Sequence, residues 1–156
     1  MLNVAVITVS DRAKRGEYQD LSGPAICETV LAHLPDCQIY QAVVADEKKQ
    51  IRQAILNHLG CDYIITTGGT GLSKRDVTPE VTRELCDLEL PGISEWLRRE
   101  SMAETPYAVL SRGFSGLKGK TVIVNFPGSV KAARFCARLL VRIMMHSRDM
   151  IHGGGH

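Results

Sequence analysis

Gly68, Gly69 and Gly71, with Thr70 between them, follow the apolar and β-branched run Tyr63 to Thr67 and precede Lys74, Arg75 and Asp76. Glycines carry no Cβ, so such a loop can turn through positive φ and bring backbone N–H groups close to an anion. Asp76 stands just before a helix start, with Thr78 as N-cap, Pro79 in the first turn and Glu80 beside it. A carboxylate next to a phosphate cradle calls for Mg²⁺, a hard cation that takes oxygen ligands from one or two carboxylates plus the substrate phosphates. The chemistry implied is that of a nucleotide; the bland alternative is a turn that joins a strand to a helix. Neither standard nucleotide signature is present. Lys74 lies between Ser73 and Arg75 rather than in a Gly-Lys-Ser/Thr run, and no glycine stands three residues after Gly71.

Two further acidic groups end apolar runs in the same way: Ser10-Asp11-Arg12 after Asn3 to Val9, and Asp46-Glu47 after Cys37 to Ala45. Both runs read as strands, and the first is apolar on both faces, as a buried parallel strand requires. Ser22 to Leu34 and Lys48 to Leu59 carry apolar residues at helical spacing, closed by Pro35 and Gly60. Three strand–helix units in succession imply right-handed crossovers and an α/β fold, with helices on both faces of a mostly parallel central sheet. Asp11, Asp46 and Gly68 to Gly71 then share the carboxyl edge of that sheet, where open α/β sheets bind ligands.

Helices are expected from Pro79 to about Leu88 and from Pro91, the latter with Ile93, Trp96 and Leu97 as its apolar face. Pro106 to Leu110 and Thr121 to Phe126 read as strands, with Gly113 to Gly119 as a turn or flexible loop. The last helix, Val130 to about Met145, has a wide apolar stripe. Its Arg134, Arg138 and Arg142 can be read as a phosphate stripe, but like charges at this spacing more often form a solvated face. His146, His152 and His156 invite a metal reading, yet no carboxylate or cysteine completes a ligand set. A frayed glycine-rich tail is the simpler account. The expected organisation is a domain over 1–146 and a flexible tail over 147–156.

With 156 residues, 44% hydrophobic and 23% charged, the chain suits a single folded domain. A net charge of +2 is too slight to argue for nucleic acid. Cys27, Cys37, Cys61, Cys86 and Cys136 lie far apart with no Cys-x-x-Cys pair, so neither a disulfide framework nor a zinc site is expected. No basic leader or membrane-length apolar run occurs, and the expectation is a cytoplasmic protein with no membrane partner.

The ordered set Val9-Ser10-Asp11-Arg12, Asp20-Leu21-Ser22-Gly23-Pro24, Ala45-Asp46-Glu47, Thr67 to Gly71 with Arg75 to Pro79, Leu90-Pro91-Gly92, Leu110-Ser111-Arg112 and Asn125 to Ser129 resembles the MogA/MoaB-type molybdenum cofactor biosynthesis proteins. These are molybdopterin adenylyltransferases related to the G domain of gephyrin. The resemblance runs from about Val4 to Met145 and implies a three-layer α/β/α sandwich in a single domain. It also implies transfer of the adenylyl group of ATP to the terminal phosphate of molybdopterin, with release of pyrophosphate and with Mg²⁺ as cofactor.

By the same resemblance Asp46 and Asp76 are the catalytic, metal-holding pair. Ser10, Asp11, Gly68, Gly69, Thr70 and Gly71 serve the nucleotide. Ser111, Arg112, Asn125, Gly128, Ser129 and Lys131 serve molybdopterin. A homotrimer with contacts in the Trp96 to Phe114 region, and a molybdenum-insertion partner, are further expectations of the family.

Two departures concern loop stiffness: Ala45 stands where the family commonly has proline, and Val130 where it has the proline of Pro-Gly-x-Pro. Two competing readings follow. One is a scaffold that binds molybdopterin or its precursor without adenylylating it, against which the intact Asp46 and Asp76 argue. The other is a generic nucleotide-binding regulator, which would have no use for the Ser111-Arg112 and Asn125 loops.

Overall fold

The computed structural model describes residues 1–154. Its elements are β1 (Asn3–Val9), α1 (Asp11–Lys14), α2 (Ser22–His33), β2 (Gln38–Val44), α3 (Lys48–Asn57), β3 (Tyr63–Thr67), α4 (Thr78–Leu85), β4 (Leu88–Glu89), α5 (Pro91–Ser101), a 3-10 helix (Pro106–Leu110), β5 (Ser115–Lys118), β6 (Thr121–Phe126) and α6 (Val130–Ile151). The strands form one sheet in the order β2-β1-β3-β6-β5-β4. The first four run parallel; β5 is antiparallel to β6, and β4 to β5.

Side chains of the inner strands alternate between two cores, as the pleat dictates. Val4 and Val6 of β1, Tyr63 and Ile65 of β3, and Val122, Val124 and Phe126 of β6 pack with Ile26 and Val30 of α2 and Leu140 and Met144 of α6. Ala5, Ile7, Ile64 and Ile123 face Ile51 and Ile55 of α3 and Val81 and Leu85 of α4. Helices therefore cover both faces of the sheet, which makes the three-layer α/β/α sandwich. Among the described residues no helix is long and apolar enough to cross a membrane.

Four local expectations are corrected. Pro106–Leu110 is a 3-10 helix rather than a strand, and its apolar Tyr107, Val109 and Leu110 stay exposed because no strand partner buries them. The stretch read as a turn or flexible loop contains β5. Its Gly116 lies so close to the Leu88 carbonyl that an added Cβ would sit 2.7 Å from it, so the glycine here admits a neighbouring strand instead of a bend.

Thr78 is the first residue of α4 rather than its N-cap, which is Val77; the Thr78 hydroxyl instead donates to the Gly68 carbonyl (3.1 Å). Finally, α6 runs past its expected end to Ile151. Its last turns are held by polar contacts that the apolar stripe does not report: Ser147 with Tyr63, and Arg148 with Asp62 (3.3 Å).

Of the three tail histidines, His152 lies 3.5 Å from Asp62 and His156 lies outside the described residues. No cluster of three or more metal-ligating side chains occurs among the described residues. Along the arginine stripe Arg134 pairs with Glu28 and Arg142 stacks over Trp96, while Arg138 is exposed, as a solvated face requires.

Candidate active site

The carboxyl ends of β1, β2, β3 and β6 bring the glycine loop, two acidic loops and the N-terminus of α6 together. Gly68 and Gly69 have φ of +102° and +70°, whereas Gly71 needs no positive φ. The loop is anchored from outside: Gly68 N–H donates to Phe126 O (3.1 Å), Thr78 N–H to Gly69 O (3.2 Å) and Arg112 N–H to Thr70 O (2.9 Å). Among the described residues no protein acceptor faces the N–H groups of Gly69, Thr70 or Gly71. Backbone donors that lack a partner beside a cavity are what an anion needs.

Asp46 and Asp76 both lie against this loop. A Cβ on Gly69 would come within 3.1 Å of Asp46 Oδ1, and one on Gly71 within 2.9 Å of Asp76 Oδ2. Asp46 Oδ2 accepts from Asp11 N–H (2.9 Å) and Asp76 Oδ2 from Ser73 N–H (3.1 Å). The other oxygen of each, Oδ1, receives no hydrogen bond among the described residues.

Asp11 is held differently. Its carboxylate accepts from Arg75 Nη2 (2.8 Å) and Nε (3.0 Å), and from Asp46 N–H (2.9 Å). The Arg75 guanidinium keeps the Asp11 carboxyl below its ordinary value. Asp46 is pushed the other way, first by burial and further by the charges of Asp11 and Asp76, against the lowering effect of the Asp11 N–H.

The sign of the Asp46 shift has a consequence for stability. A carboxyl raised in the fold costs nothing below its unfolded value of about 4; the cost grows as the pH rises from there and is complete once the pH passes the folded value. Asp46→Asn retains an acceptor for the Asp11 N–H and removes that cost. The variant is therefore expected to melt no lower than wild type at neutral pH, with the difference moving in its favour from about pH 4 to about pH 7. Thermal melts at the two pH values check this, and a lower melting temperature at neutral pH would contradict the account of Asp46.

Beside the loop opens a cavity of about 440 Å³, within the range typical of small-molecule sites. Gly68 to Gly71, Asp76, Ser111, Asn125, Gly128, Ser129 and Lys131 line it; Ser10, Asp11, Asp46 and Arg112 do not. Ser10 caps α1 by accepting from Ala13 N–H (3.2 Å) and pairs with the Tyr18 hydroxyl. Asn125 is buried with its amide fully engaged: Nδ2 donates to Thr66 and Thr82 hydroxyls (2.9 Å each), and Oδ1 accepts from Phe114 N–H (3.0 Å). It shapes the wall and leaves no N–H for a ligand.

Arg112, expected as a ligand contact, points to the glycine loop and to Glu80 instead. Ser129 caps α6, accepting from Ala132 N–H (3.3 Å), so the start of a long helix faces the cavity.

Of the opposite wall only Lys131 was expected as a site residue. Leu97, Tyr107, Leu110 and Phe135 supply apolar surface, and Arg98 and Lys131 supply charge. Arg98 Nη1 donates to Gly113 O (2.7 Å), and Lys131 Nζ lies 3.4 Å from Glu104. Leu97 and Phe135 read in sequence as core stripes, and the only signal for a site was the cluster of apolar residues after Pro106 that finds no strand partner.

The chain matches the family described as "Probable molybdopterin binding domain" over residues 5–146. It is 38% identical over 156 residues to the molybdopterin adenylyltransferase of Helicobacter pylori, covering 97% of this chain and 89% of that protein. Among solved structures, the molybdopterin biosynthesis enzyme MoaB from Thermus is 43% identical with a TM-score of 0.87, covering 98% of each chain. A structure of MogA is 36% identical with a TM-score of 0.89, covering 96% of this chain and 99% of that one. A match over nearly the whole domain, with the glycine loop and its flanking carboxylates in place, means that this chain belongs to the molybdopterin-binding family of molybdenum cofactor biosynthesis proteins.

Proposed function

We propose that the chain transfers the adenylyl group of ATP to the terminal phosphate of molybdopterin, giving adenylylated molybdopterin and pyrophosphate. The observation that carries this reading is a glycine loop with three backbone N–H groups lacking protein acceptors, set between two carboxylates with open oxygens and a partly apolar cavity. Gly69, Thr70 and Gly71 donate to the ATP phosphates, with Asp11 and Ser10 shaping the rim on that side. The cavity takes the flat pterin against Leu97, Tyr107 and Phe135. Ser111, Gly128, Ser129, Lys131 and the α6 N-terminus meet its phosphate.

Mg²⁺ fits the donor set, which is two carboxylates without histidine or thiolate. Asp46 Oδ1 and Asp76 Oδ1 would hold it, with substrate oxygens and water completing the shell. When bound, the ion neutralises charge that builds up on the leaving pyrophosphate.

In the reaction an oxygen of the molybdopterin phosphate bonds to the α-phosphorus as the bond from that phosphorus to pyrophosphate breaks. The nucleophile needs no general base, because a phosphate monoester has a second pKa of about 6 and is already ionised at neutral pH. The work of the chain is to orient two polyanions and to supply fixed dipoles. By family resemblance the enzyme is a cytoplasmic homotrimer that passes its product to a molybdenum-insertion protein.

The deciding experiment incubates the protein with molybdopterin, ATP and Mg²⁺ and follows pyrophosphate and adenylylated pterin. Formation of both in equal amounts is the expected result. Binding of molybdopterin with no product would establish a scaffold instead.

A further inference from the structure

Arg112 was expected to touch the second substrate, but its side chain is already committed. Nε donates to Gly71 O (2.8 Å), Nη2 to Asp76 O (2.8 Å) and Glu80 Oε1 (3.2 Å), and Nη1 to Glu80 Oε2 (2.6 Å). Four of the five guanidinium N–H groups are thus used within the protein, and Arg112 does not line the cavity. Its main chain is committed too, since its N–H donates to Thr70 O. One residue of the loop after the 3-10 helix therefore grips the glycine loop at Thr70 and Gly71, and grips Asp76 by its backbone. Glu80, in the first turn of α4, balances the charge; Arg112 in turn holds the Glu80 carboxyl below its usual range.

We propose that Arg112 and Glu80 form a clamp that sets the glycine loop and Asp76 at a fixed mutual position, so that Arg112 is a positioning residue rather than a phosphate ligand. The proposal rests on the reading of Gly69 to Gly71 and Asp76 as the nucleotide and metal side of the site. A planar fork is required, because three acceptors on three segments are met at once; an ammonium, a point donor on a flexible stem, cannot hold all of them in plane. The clamp also links the two halves of the site. Arg98 fixes the same loop from the other side through Ser111 O (3.4 Å) and Gly113 O, so Ser111, which lines the cavity, is held in register with the loop assigned to the nucleotide.

Glu80 is outside the cavity lining, which makes Glu80→Gln the informative variant. It preserves volume and removes the charge that steadies the guanidinium, leaving Arg112 only its carbonyl acceptors on Gly71 and Asp76 and a neutral amide. A clamp predicts that Glu80→Gln, Arg112→Lys and the double variant share one phenotype. Each should raise the Mg²⁺ concentration for half-maximal turnover and the KM for ATP by about 10-fold, the usual effect of removing a group that orients a metal ligand. The KM for molybdopterin should stay unchanged, and the double variant should be no worse than either single one.

Amide hydrogen exchange on the full chain without ligand gives a readout independent of activity. The protected N–H groups of Asp76 and Thr78, bonded to Ser73 O and Gly69 O, should exchange about 10-fold faster in all three proteins. If Glu80→Gln leaves exchange and the ATP and Mg²⁺ constants at wild-type values while Arg112→Lys raises the KM for molybdopterin, the clamp is overturned and Arg112 is a substrate ligand. If wild type itself makes no adenylylated pterin, it is the functional reading that fails, and exchange alone still decides the clamp.

Discussion

Asp76→Asn is expected to lower turnover by about 10³-fold, the loss that follows removal of a single preorganised charge-stabilising contact in a water-excluded site. The fold should survive. Asp76 is held by its backbone, through Arg112, and by one hydrogen bond from Ser73 N–H to Oδ2, which the asparagine carbonyl can also accept. What the variant loses is the open Oδ1 with its negative charge, the group available to Mg²⁺. The KM for molybdopterin should change little, because the residues assigned to its phosphate lie on the Ser111 and Gly128 loops. Steady-state kinetics with thermal melting checks this, and near wild-type turnover in a well-folded Asp76→Asn protein would remove the metal role of Asp76.

The second large effect is expected for Gly69→Ala. At φ +70° an alanine sits in the left-handed region, and strain of this kind costs of order 1–3 kcal/mol. The new methyl would also press on the Thr78 hydroxyl, whose bond to Gly68 O ties the loop to α4, and would stand 3.1 Å from Asp46 Oδ1. Stability and function should therefore fall together: a lower melting temperature by about 5 °C for a loss near 2 kcal/mol, and a loss of ATP binding by titration calorimetry. Gly71→Ala, at an ordinary φ, isolates the contact with Asp76 from the strain. A Gly69→Ala protein that binds ATP normally would mean that the loop does not cradle the phosphates.

Most of the architecture was legible because its signals are local. The β-branched runs Asn3 to Val9 and Tyr63 to Thr67, and the helical spacing of Ile51, Ala54 and Ile55, are buried where their periodicity says. The antiparallel edge was not. β4 is two residues long, and β5 is glycine-bearing and polar, so neither has a pattern of its own and both exist through pairing with a neighbour. The same distinction separates the site residues. Asp46, Asp76 and the glycines announce themselves by residue type at the end of a strand, whereas Arg98 and Phe135 occupy helices where a core or surface role explains them equally well.

By itself, then, the order of residues determined the α/β class, the family and the identity of the acidic and glycine-rich elements, because strand periodicity and residue type at strand ends are properties of short stretches of chain. Tertiary structure alone decided which groups are free to act. Asp11 and Asp46 have the same chemistry, yet Arg75 neutralises one while burial leaves the other with an open oxygen. Arg112 and Asn125 carry donors suited to a ligand, yet partners far along the chain have already taken them. Hydrogen-bond capacity is finite, and only the folded chain determines where it is used.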